Sequence, residues 1–442
     1  MTLSRCPVCG YLHTGTINFH FCPVCNTPSG TFLHEPAGDN SSGWNANIRI
    51  MISSMAKFAT PYMEGKGTTR NFLNMDNLLF LPAMLSRLPL ADEDDVATEV
   101  ILGKEAKQPI TLQTPILNAA MSYGALSKEA KMALASASAL AGTIANTGEG
   151  GMLDEERELA DRITLQYSTG RFGITKERLR LADMIEIKIS QGAKPGMGGK
   201  LPGAKVSAEI AKVRQIVAGK TVHSPAVHPD IRSPEELSQK IFDLRTITEG
   251  KPVALKLVGG HLEEDLTAIF SQNNIPDVLV IDGGEGGTGA APVIMKDHVG
   301  LPLIYSLPRV ADFLQQKNLT NRVTLIAAGG MRHSGDIAKA LALGAEGVYM
   351  GGALKIALGC TYLRQCHLGS CPYGIATQDK KLRKRLDVKK GAVQVANFIR
   401  TATEEVQSIA RSCGKLSIHD LNRDDLTALD PELARITGIP LA

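Results

Sequence analysis

From about residue 115 onward, short apolar runs alternate with longer amphipathic stretches. The apolar runs predict strands at 116–120, 142–146, 185–189, 253–258, 278–281, 323–327 and 346–350, with a plausible eighth at 303–307. The amphipathic stretches predict helices, most clearly at 127–141 and 334–343. Strands that alternate with helices indicate parallel βαβ units. Eight such units favour an α/β fold closed into a (β/α)8 TIM barrel over an open doubly wound sheet.

Several predicted strands run directly into glycine-rich loops. In a barrel of this kind functional groups collect in the loops after the strands, and glycines after the last two strands let backbone N–H groups close on a phosphate. Turn formation alone is the alternative explanation for any one loop. All three loops together, in barrel order, predict a phosphorylated cofactor. The candidate cofactor-binding positions are Gly287, Thr288 and Gly289; Gly329 and Gly330; and Gly351 and Gly352.

Charged residues interrupt two of the predicted strands. Lys256 lies inside the apolar run 253–258, and burying a lysine is costly without an anionic partner. A flavin that becomes anionic on reduction is one such partner, and a carboxylate of the core is the other. Glu186 and Lys188 alternate with apolar neighbours on the strand at 185–189, so both side chains should point to the same side.

The first 30 residues contain two CxxC knuckles, in which the tight turn aims two thiolates at one ion. The two knuckles together predict a tetrahedral site whose ligands are Cys6, Cys9, Cys22 and Cys25. The words Cys9-Gly10-Tyr11 resemble a rubredoxin opening, although the gap between the knuckles is much shorter than in a rubredoxin. Iron for electron transfer and structural zinc both remain possible, and a small structural knuckle is the preferred interpretation.

A second cysteine run contains Cys360, Cys366 and Cys371, the last followed by a proline. Three thiolates within twelve residues suit an iron–sulfur cluster. Three ligands suggest a [3Fe–4S] cluster, while a fourth ligand recruited from elsewhere is the alternative. Cys413 is distant in sequence and is expected to be a buried free thiol.

Composition and charge exclude several other classes of protein. The chain has 442 residues and a formal net charge of +3, which is too mild to indicate nucleic-acid binding. The basic run 380–385 is typical of a solvated helix face, with a docking surface for an acidic partner as the alternative. No apolar stretch reaches the length of a membrane span, and the start has no secretory signal. Eight cysteines without a signal predict metal ligation in a reducing, cytoplasmic compartment.

These patterns divide the chain into four segments. Residues 1–34 form the metal-knuckle segment, 35–110 a helical extension, 111–380 the barrel with its cysteine loop, and 381–442 a helical tail.

Several long words of the sequence occur in one order and resemble the synthase domain of glutamate synthases over roughly residues 118–379. They are Ala120-Met121-Ser122-Tyr123-Gly124, Asn146-Thr147-Gly148-Glu149-Gly150, Gly170-Arg171-Phe172-Gly173, Gln191-Gly192-Ala193-Lys194-Pro195-Gly196, Gly286-Gly287-Thr288-Gly289 and the cysteine run. The resemblance implies a (β/α)8 barrel that binds FMN beside a [3Fe–4S] cluster. Such enzymes join ammonia to 2-oxoglutarate and reduce the resulting 2-iminoglutarate to glutamate.

The resemblance also implies roles for individual residues. Lys194 and Arg214 match the cations that clamp the dicarboxylate substrate, with Met121 and Ser122 over the flavin and substrate and Lys200 at the substrate. Glu149 matches an acid that shuttles protons during imine formation, and Lys256 the lysine that steadies reduced flavin. Further matches at the cofactor are Ala120, Asn146 and Lys188.

The sequence departs from the family pattern at two points. Met197 and Lys200 stand where Glu and Gln are common, which puts the choice of substrate in question. The usual amidotransferase domain and glycine-repeat β-helix do not appear in this chain, so separate amidotransferase-like and β-helix-like subunits are expected.

This dissected arrangement resembles methylamine–glutamate N-methyltransferases, in which methylamine replaces the amino group of glutamate. We prefer this interpretation of the sequence. The alternatives are a dissected glutamate synthase that uses electrons from ferredoxin or NADPH, and a flavin and iron–sulfur subunit that only relays electrons.

Overall fold

The computed structural model describes residues 3–6, 12–14, 17, 19–22, 28–35 and 44–442. Cys9 and Cys25 of the predicted N-terminal site lie outside the described residues.

The described residues form seventeen strands. They are β1 Leu3–Arg5, β2 Leu12–Thr14, β3 Leu33–Glu35, β4 Leu78–Phe80, β5 Val100–Leu102, β6 Ile110–Leu112, β7 Ile116–Asn118, β8 Ala145–Asn146, β9 Ile163–Tyr167, β10 Met184–Lys188, β11 Lys200–Leu201, β12 Val222–His223, β13 Val253–Val258, β14 Val278–Asp282, β15 Thr324–Ala328, β16 Gly347–Met350 and β17 Leu426–Ala428.

The described α-helices number fourteen. They are α1 Ala46–Phe58, α2 Lys128–Leu140, α3 Asp154–Leu159, α4 Lys176–Leu181, α5 Ala208–Arg214, α6 Pro234–Ile247, α7 Leu262–Phe270, α8 Val293–His298, α9 Leu303–Gln316, α10 Ser334–Ala342, α11 Gly352–Ala357, α12 Lys380–Arg383, α13 Val388–Ser412 and α14 Pro431–Thr437.

Eight parallel strands form one sheet in the order β7-β16-β15-β14-β13-β10-β9-β8. The two end strands meet where the Asn118 N–H donates to the Ile144 carbonyl oxygen at 3.3 Å. The sheet is therefore almost closed, and the predicted TIM-type barrel is confirmed. Since all eight strands are parallel, their carboxyl ends meet at one mouth of the barrel.

The predicted eighth strand at 303–307 is wrong. These residues begin α9, which follows Pro302 and buries Leu303, Ile304, Leu307, Val310 and Leu314. That spacing follows the helical repeat, whereas a run of five residues is too short to distinguish a strand from a helix.

The strand that the sequence pattern missed is β9. Its polar residues Thr164 and Gln166 are buried and alternate with Ile163, Leu165 and Tyr167, so it lacks the continuous apolar run of a buried parallel strand. As a result, Lys188 ends the fourth barrel strand, Lys256 lies on the fifth and Asp282 ends the sixth.

The segment before the barrel is less helical than expected. Its described residues hold one α-helix, α1, together with strands β4 to β6. Strands β5 and β6 form an antiparallel hairpin whose Leu102 and Leu112 pack against Met184, Ala254 and Val278 near the amino ends of the barrel strands. The hairpin thus closes the end of the barrel opposite the loops.

The C-terminal segment belongs to the shell of the barrel. Helix α13 buries Val395, Ile399, Ala402 and Val406 on one face and packs along α2. Strand β17 pairs antiparallel with β4, which joins the tail to the segment before the barrel. None of the helices among the described residues is long and apolar enough to cross a membrane.

The hairpin gives a stability test. Replacing Leu102, which is fully buried, with alanine should lower the free energy of unfolding by about 2–5 kcal/mol. The reason is that the packed residues around the hairpin cannot move in to fill the space left by the lost methyl groups. Ile101 on the same strand is 43% exposed, and its alanine variant is expected to change stability by less than about 0.5 kcal/mol. Thermal unfolding measured by circular dichroism compares the two, and equal melting temperatures would contradict the role of the hairpin.

Candidate active site

A cavity of about 1190 Å³ opens at the carboxyl ends of the barrel strands. Its lining comes from the loops after the strands, from the cysteine loop and from a short segment near residue 65. Among the described residues, nine lysine and arginine side chains and three carboxylates line it, and the three acids are Glu149, Asp282 and Glu285. Such an excess of positive charge in a partly enclosed space favours anionic ligands.

The structure brings nearly all of the predicted site residues to this cavity. Those that line it are Ala120, Met121, Ser122, Glu149, Lys188, Lys194, Lys200, Arg214, Lys256, Gly287, Thr288, Gly289, Gly329, Gly330, Gly351, Gly352, Cys360, Cys366 and Cys371.

Asn146 is the exception. It is buried beneath the loop after β8, where its Oδ1 accepts from the Gly148 N–H at 2.9 Å and its Nδ2 donates to the Tyr349 hydroxyl at 3.4 Å. Gly148 has a φ of 62°, a conformation that suits glycine. Asn146 therefore supports the turn that presents Glu149 to the cavity.

Glu149 lies within a group of cations. Its Oε2 accepts from Lys188 Nζ at 2.8 Å, and Lys188 also donates to Gln191 Oε1 at 2.7 Å. Burial alone would raise the pKa of Glu149, but the ammonium groups of Lys188 and Lys194 outweigh it and hold the pKa at about 2. Glu149 is therefore a carboxylate at neutral pH and can accept a proton before it donates one.

Lys194 and Arg214 are both buried beside this carboxylate. Burial lowers the pKa of Lys194 to about 8, against the opposing effect of Glu149, and its Nζ donates to the Gly198 carbonyl at 3.3 Å. The Arg214 guanidinium donates through Nη2 to the Tyr123 carbonyl oxygen at 2.6 Å and lies over the Phe172 ring. The two cations are thus held by backbone and ring contacts, and within the described part of the chain Glu149 is the carboxylate that acts on both.

Lys256 and Asp282 form a second pair, on adjacent barrel strands. Lys256 Nζ lies 3.1 Å from Asp282 Oδ2, so a core carboxylate does accompany the lysine. Burial would lower the pKa of Lys256, but Asp282 and Glu186 together raise it. Glu186 points into the barrel with Lys256, where its Oε1 accepts from Gln166 Nε2 at 2.6 Å. Lys256 is thus a permanent cation in the wall of the cavity.

The glycine loops pack closely against one another. A Cβ atom on Gly329 would lie 2.7 Å from the Gly283 carbonyl oxygen, and Gly329 has a φ of 93°, so a larger residue is excluded there. A Cβ atom on Gly352 would meet nothing within 4 Å. Gly352 begins α11 and lines the cavity, so its backbone is accessible to a ligand there.

The cysteine loop follows α11 directly. Cys360, Cys366 and Cys371 are partly buried, and the Cys360 Sγ accepts from the Tyr362 N–H at 3.4 Å. Tyr362 and Arg364 both have positive φ values, 62° and 59°, which are uncommon for residues other than glycine. The loop is thus held in a specific, strained shape that turns all three cysteines to the cavity.

Four lysines that the sequence analysis did not single out surround these cysteines: Lys66, Lys205, Lys296 and Lys355. Burial lowers the pKa of each of the last three, while Cys366 acts in the opposite direction on all of them. Buried cations clustered around thiols require negative charge nearby. An iron–sulfur cluster on three thiolates supplies it, so the residues fit that group. No local pattern could have revealed Lys66, Lys205 and Lys296, because they come from distant parts of the chain, whereas Lys355 lies shortly before Cys360 in the sequence.

The N-terminal segment touches the same loop. Cys6 and Cys22 are buried with Phe32, and Leu368, which lies between Cys366 and Cys371, packs against this small core. Strands β1 to β3 form its antiparallel sheet.

One other group of described residues has the spacing of a metal site: Asp76, His333 and Asp336. Both carboxylates are already ion-paired with Arg332, and its Nε lies 2.8 Å from Asp336 Oδ2. The ion pairs account for this group without a metal.

The mouth of a (β/α)8 barrel, at the carboxyl ends of its strands, is where enzymes of this fold bind their ligands, and the charge of this cavity favours anionic ones. The conserved region in glutamate synthase matches residues 49–416 of this chain, and the rubredoxin-like domain of rubrerythrin matches residues 5–32. The chain belongs to the glutamate synthase family.

Individual relatives agree with this assignment. An archaeal glutamate synthase (NADPH) from Methanocaldococcus jannaschii is 38% identical, over 90% of this chain and 84% of that protein. An archaeal-type glutamate synthase (NADPH) from Thermotoga maritima is 42% identical, over 94% and 87% respectively. A ferredoxin-dependent glutamate synthase 2 from Synechocystis is 38% identical over 93% of this chain, which spans 28% of that protein.

Among solved structures, a flavocytochrome b2 with bound sulfite superposes with a TM-score of 0.51 at 17% identity, over 89% of this chain and 87% of that one. A second flavocytochrome b2 has a TM-score of 0.51 at 16% identity, over 83% and 78%. At this identity the likeness shows the fold alone.

The pKa of Lys194 predicts how affinity for a dicarboxylate depends on pH. Lys194 is a cation below about pH 8 and becomes neutral above it, so the Kd for 2-oxoglutarate should rise about tenfold per pH unit above that point. Isothermal titration calorimetry measures this. Lys194→Arg should lose the dependence because arginine stays protonated. If the affinity of the wild type for 2-oxoglutarate stayed constant from about pH 7 to about pH 9.5, the role of Lys194 as a cation that binds the dicarboxylate would be contradicted.

Proposed function

We propose that this protein forms L-glutamate from 2-oxoglutarate and ammonia at an FMN bound in the barrel mouth, with electrons arriving through an iron–sulfur cluster on the cysteine loop. The observation that carries the proposal is one cavity that joins Glu149, Lys194 and Arg214 to the three cysteines. The relatives named above are NADPH- and ferredoxin-dependent glutamate synthases, which supports this reading over amine exchange.

The residues divide into three groups in this proposal. Backbone N–H groups at Gly329, Gly330, Gly351 and Gly352 would hold the cofactor phosphate. Lys256 would place a fixed cation beside the flavin ring. The third group lines the cavity between the glycine loops and Lys256, and it consists of the remaining matched positions: Ala120, Met121, Ser122, Lys188 and the loop 287–289.

The chemistry that FMN supplies when bound is the transfer of a hydride to an imine carbon. Lys194 and Arg214 bind the carboxylates of 2-oxoglutarate and fix its α-carbon near Glu149. Glu149, which starts as a carboxylate, accepts a proton from the attacking ammonia and returns it to the departing water. Lys188 keeps Glu149 ionised and oriented through its hydrogen bond to Oε2. The balance is ammonia, 2-oxoglutarate, two electrons and two protons in, and glutamate and water out.

Amine exchange between glutamate and methylamine is the second candidate. Met197 favours it, because its partly exposed apolar side chain lines the cavity and could receive a methyl group. Lys200 on β11 also lines the cavity and adds a cation to the substrate side. Release of ammonia from glutamate on addition of methylamine, without any reductant, would support exchange. Faster glutamate formation from 2-oxoglutarate, ammonia and reductant would support synthesis.

A protein that only relays electrons would need no dicarboxylate site. Binding of 2-oxoglutarate that perturbs the flavin spectrum would therefore exclude the relay reading. The separate amidotransferase-like and β-helix-like subunits remain part of the proposal, and co-purification of the tagged chain from its own cells tests them. The metal of the N-terminal knuckle, iron or zinc, is to be identified by elemental analysis of the same preparation.

Glu149 gives a direct test of the reaction. Glu149→Gln should lower kcat about 10²- to 10⁴-fold, since the amide cannot accept the proton. Affinity for 2-oxoglutarate, measured well below the pKa of Lys194, should stay near that of the wild type, because Lys194 and Arg214 remain in place and protonated. The measurement is steady-state glutamate formation with dithionite as reductant, alongside flavin content. A variant with unchanged kcat would overturn the role of Glu149.

The cysteines give a second test. Cys366→Ser should lose iron and acid-labile sulfide from the cluster, because two thiolates cannot hold a three-ligand cluster. Cys413 is fully buried away from the cavity, with its Sγ donating to the Leu81 carbonyl oxygen at 3.7 Å, and Cys413→Ser is the matched control that should retain the full content. Equal iron and sulfide in both variants would contradict a cluster at this loop.

A further inference from the structure

A short strap, residues 60–68, crosses between the cysteine loop and the glycine loop at 282–291. On one side the Gly65 N–H donates to the Arg364 carbonyl oxygen at 2.8 Å. On the other side the Thr288 N–H donates to the Lys66 carbonyl oxygen at 3.3 Å. A Cβ atom on Gly65 would lie 2.7 Å from the Arg364 oxygen, so the strap and the cysteine loop are in direct backbone contact.

Lys66 lies in the middle of this strap and lines the cavity together with the three cysteines. It is only 3% exposed, and its Nζ has no hydrogen-bond partner among the described residues. The Nζ lies 4.5 Å from the centre of the Tyr362 ring. Its backbone has a φ of 75°, a conformation that costs energy for a lysine. Strain together with a buried amine that lacks an acceptor indicates a functional demand at this position.

The lysines near Lys66 show that positive charge is in excess around the cysteine loop. Lys355, whose carbonyl oxygen accepts from the Cys360 N–H at 2.9 Å, lines the same cavity and brings a second ammonium group to the three thiols. Lys205 and Lys296 have backbone acceptors, at 2.9 Å from His367 and 2.7 Å from Glu64 respectively. Among the residues that the structure describes, the Lys66 ammonium contacts only the ring of Tyr362, so an anion at the cysteines is its natural counter-charge.

We propose that Lys66 is a positioning residue that holds a fixed positive charge against the iron–sulfur cluster and thereby raises the reduction potential of the cluster. This rests on the proposed function, because the three cysteines must carry a cluster. Reduction adds one electron from an external one-electron donor and so adds one negative charge to the cluster. A buried cation stabilises the more negative, reduced form more strongly than the oxidised form, since the low dielectric of the site screens the interaction weakly.

The test compares three variants of Lys66 in the full-length protein. Lys66→Met removes the charge, and Lys66→Asn removes it with a residue that tolerates a positive φ. Lys66→Arg retains the charge, and Lys57→Met, an exposed lysine on α1, is the matched control. A potentiometric titration with dithionite, followed by electron paramagnetic resonance of the cluster, gives the potential, while iron and sulfide assays give its content.

In the neutral variants the equilibrium constant for reduction of the cluster should be at least about tenfold smaller than in the wild type. For one electron this corresponds to a reduction potential that is lower by about 59 mV. Lys66→Arg and Lys57→Met should match the wild type. If both neutral variants fail to assemble the cluster, assembly in Lys66→Arg would support the role of the charge, and failure there too would overturn it. Full clusters with unchanged potential in the neutral variants would also overturn it.

The same experiment separates this inference from the proposed function. Wild-type protein that lacks a cluster when purified under anaerobic conditions would overturn the proposed function and this inference with it. A wild-type cluster whose potential does not respond to the charge at Lys66 would overturn the inference alone.

Discussion

The concentration of positive charge at one mouth of the barrel is the constraint on which the site depends. Nine lysine and arginine side chains and only three carboxylates line the cavity among the described residues, and several of the cations are buried. Isolated buried ammonium groups are expensive, so this arrangement favours compensating anions. In the proposed function, a cofactor phosphate, a dicarboxylate substrate and an iron–sulfur cluster with thiolate ligands would be three such anions.

The fold holds this charge by making the loops rigid. Lys131 on α2 is fully buried, forms an ion pair with Glu156 at 2.7 Å, and donates to the carbonyl oxygens of Met121 and Asn146 at 2.7 Å each. One side chain thus fastens the loops after the first two barrel strands, which carry the Met121-Ser122 and Glu149 positions. The strap and the cysteine loop are joined in a similar way by backbone contacts. Local rigidity keeps the cations from relaxing away from one another into solvent.

Most of the barrel could be read from the sequence because its buried parallel strands are continuous apolar runs. The pattern failed where the barrel interior is polar. In strand β9 the polar residues Thr164 and Gln166 are buried and alternate with apolar residues, so this strand has no continuous apolar run that would have predicted it. The apolar start of α9 has the composition of a short buried strand, although these residues form a helix. The segment before the barrel was expected to be helical and is largely not, because β4 and the hairpin are stabilised by partners far away in sequence. Asn146, which the resemblance places at the cofactor, is not among the residues that line the cavity, and its side chain supports the loop that carries Glu149.

By itself, the sequence determined the family, the barrel and many of the charged residues and glycines that line the cavity, since these depend on local words and on the order of strands. It also identified Cys360, Cys366 and Cys371 as candidate cluster ligands, because the three cysteines lie close together in the sequence. Only the tertiary structure decided the electrostatics. The ionised state of Glu149 and the pairing of Lys256 with Asp282 arise from residues far apart in the chain, and so does the approach of Lys205 and Lys296 to the cysteine loop. The interaction between two charges depends on the distance between them in space and on how deeply they are buried. Neither the distance nor the burial can be derived from the spacing of residues along a sequence.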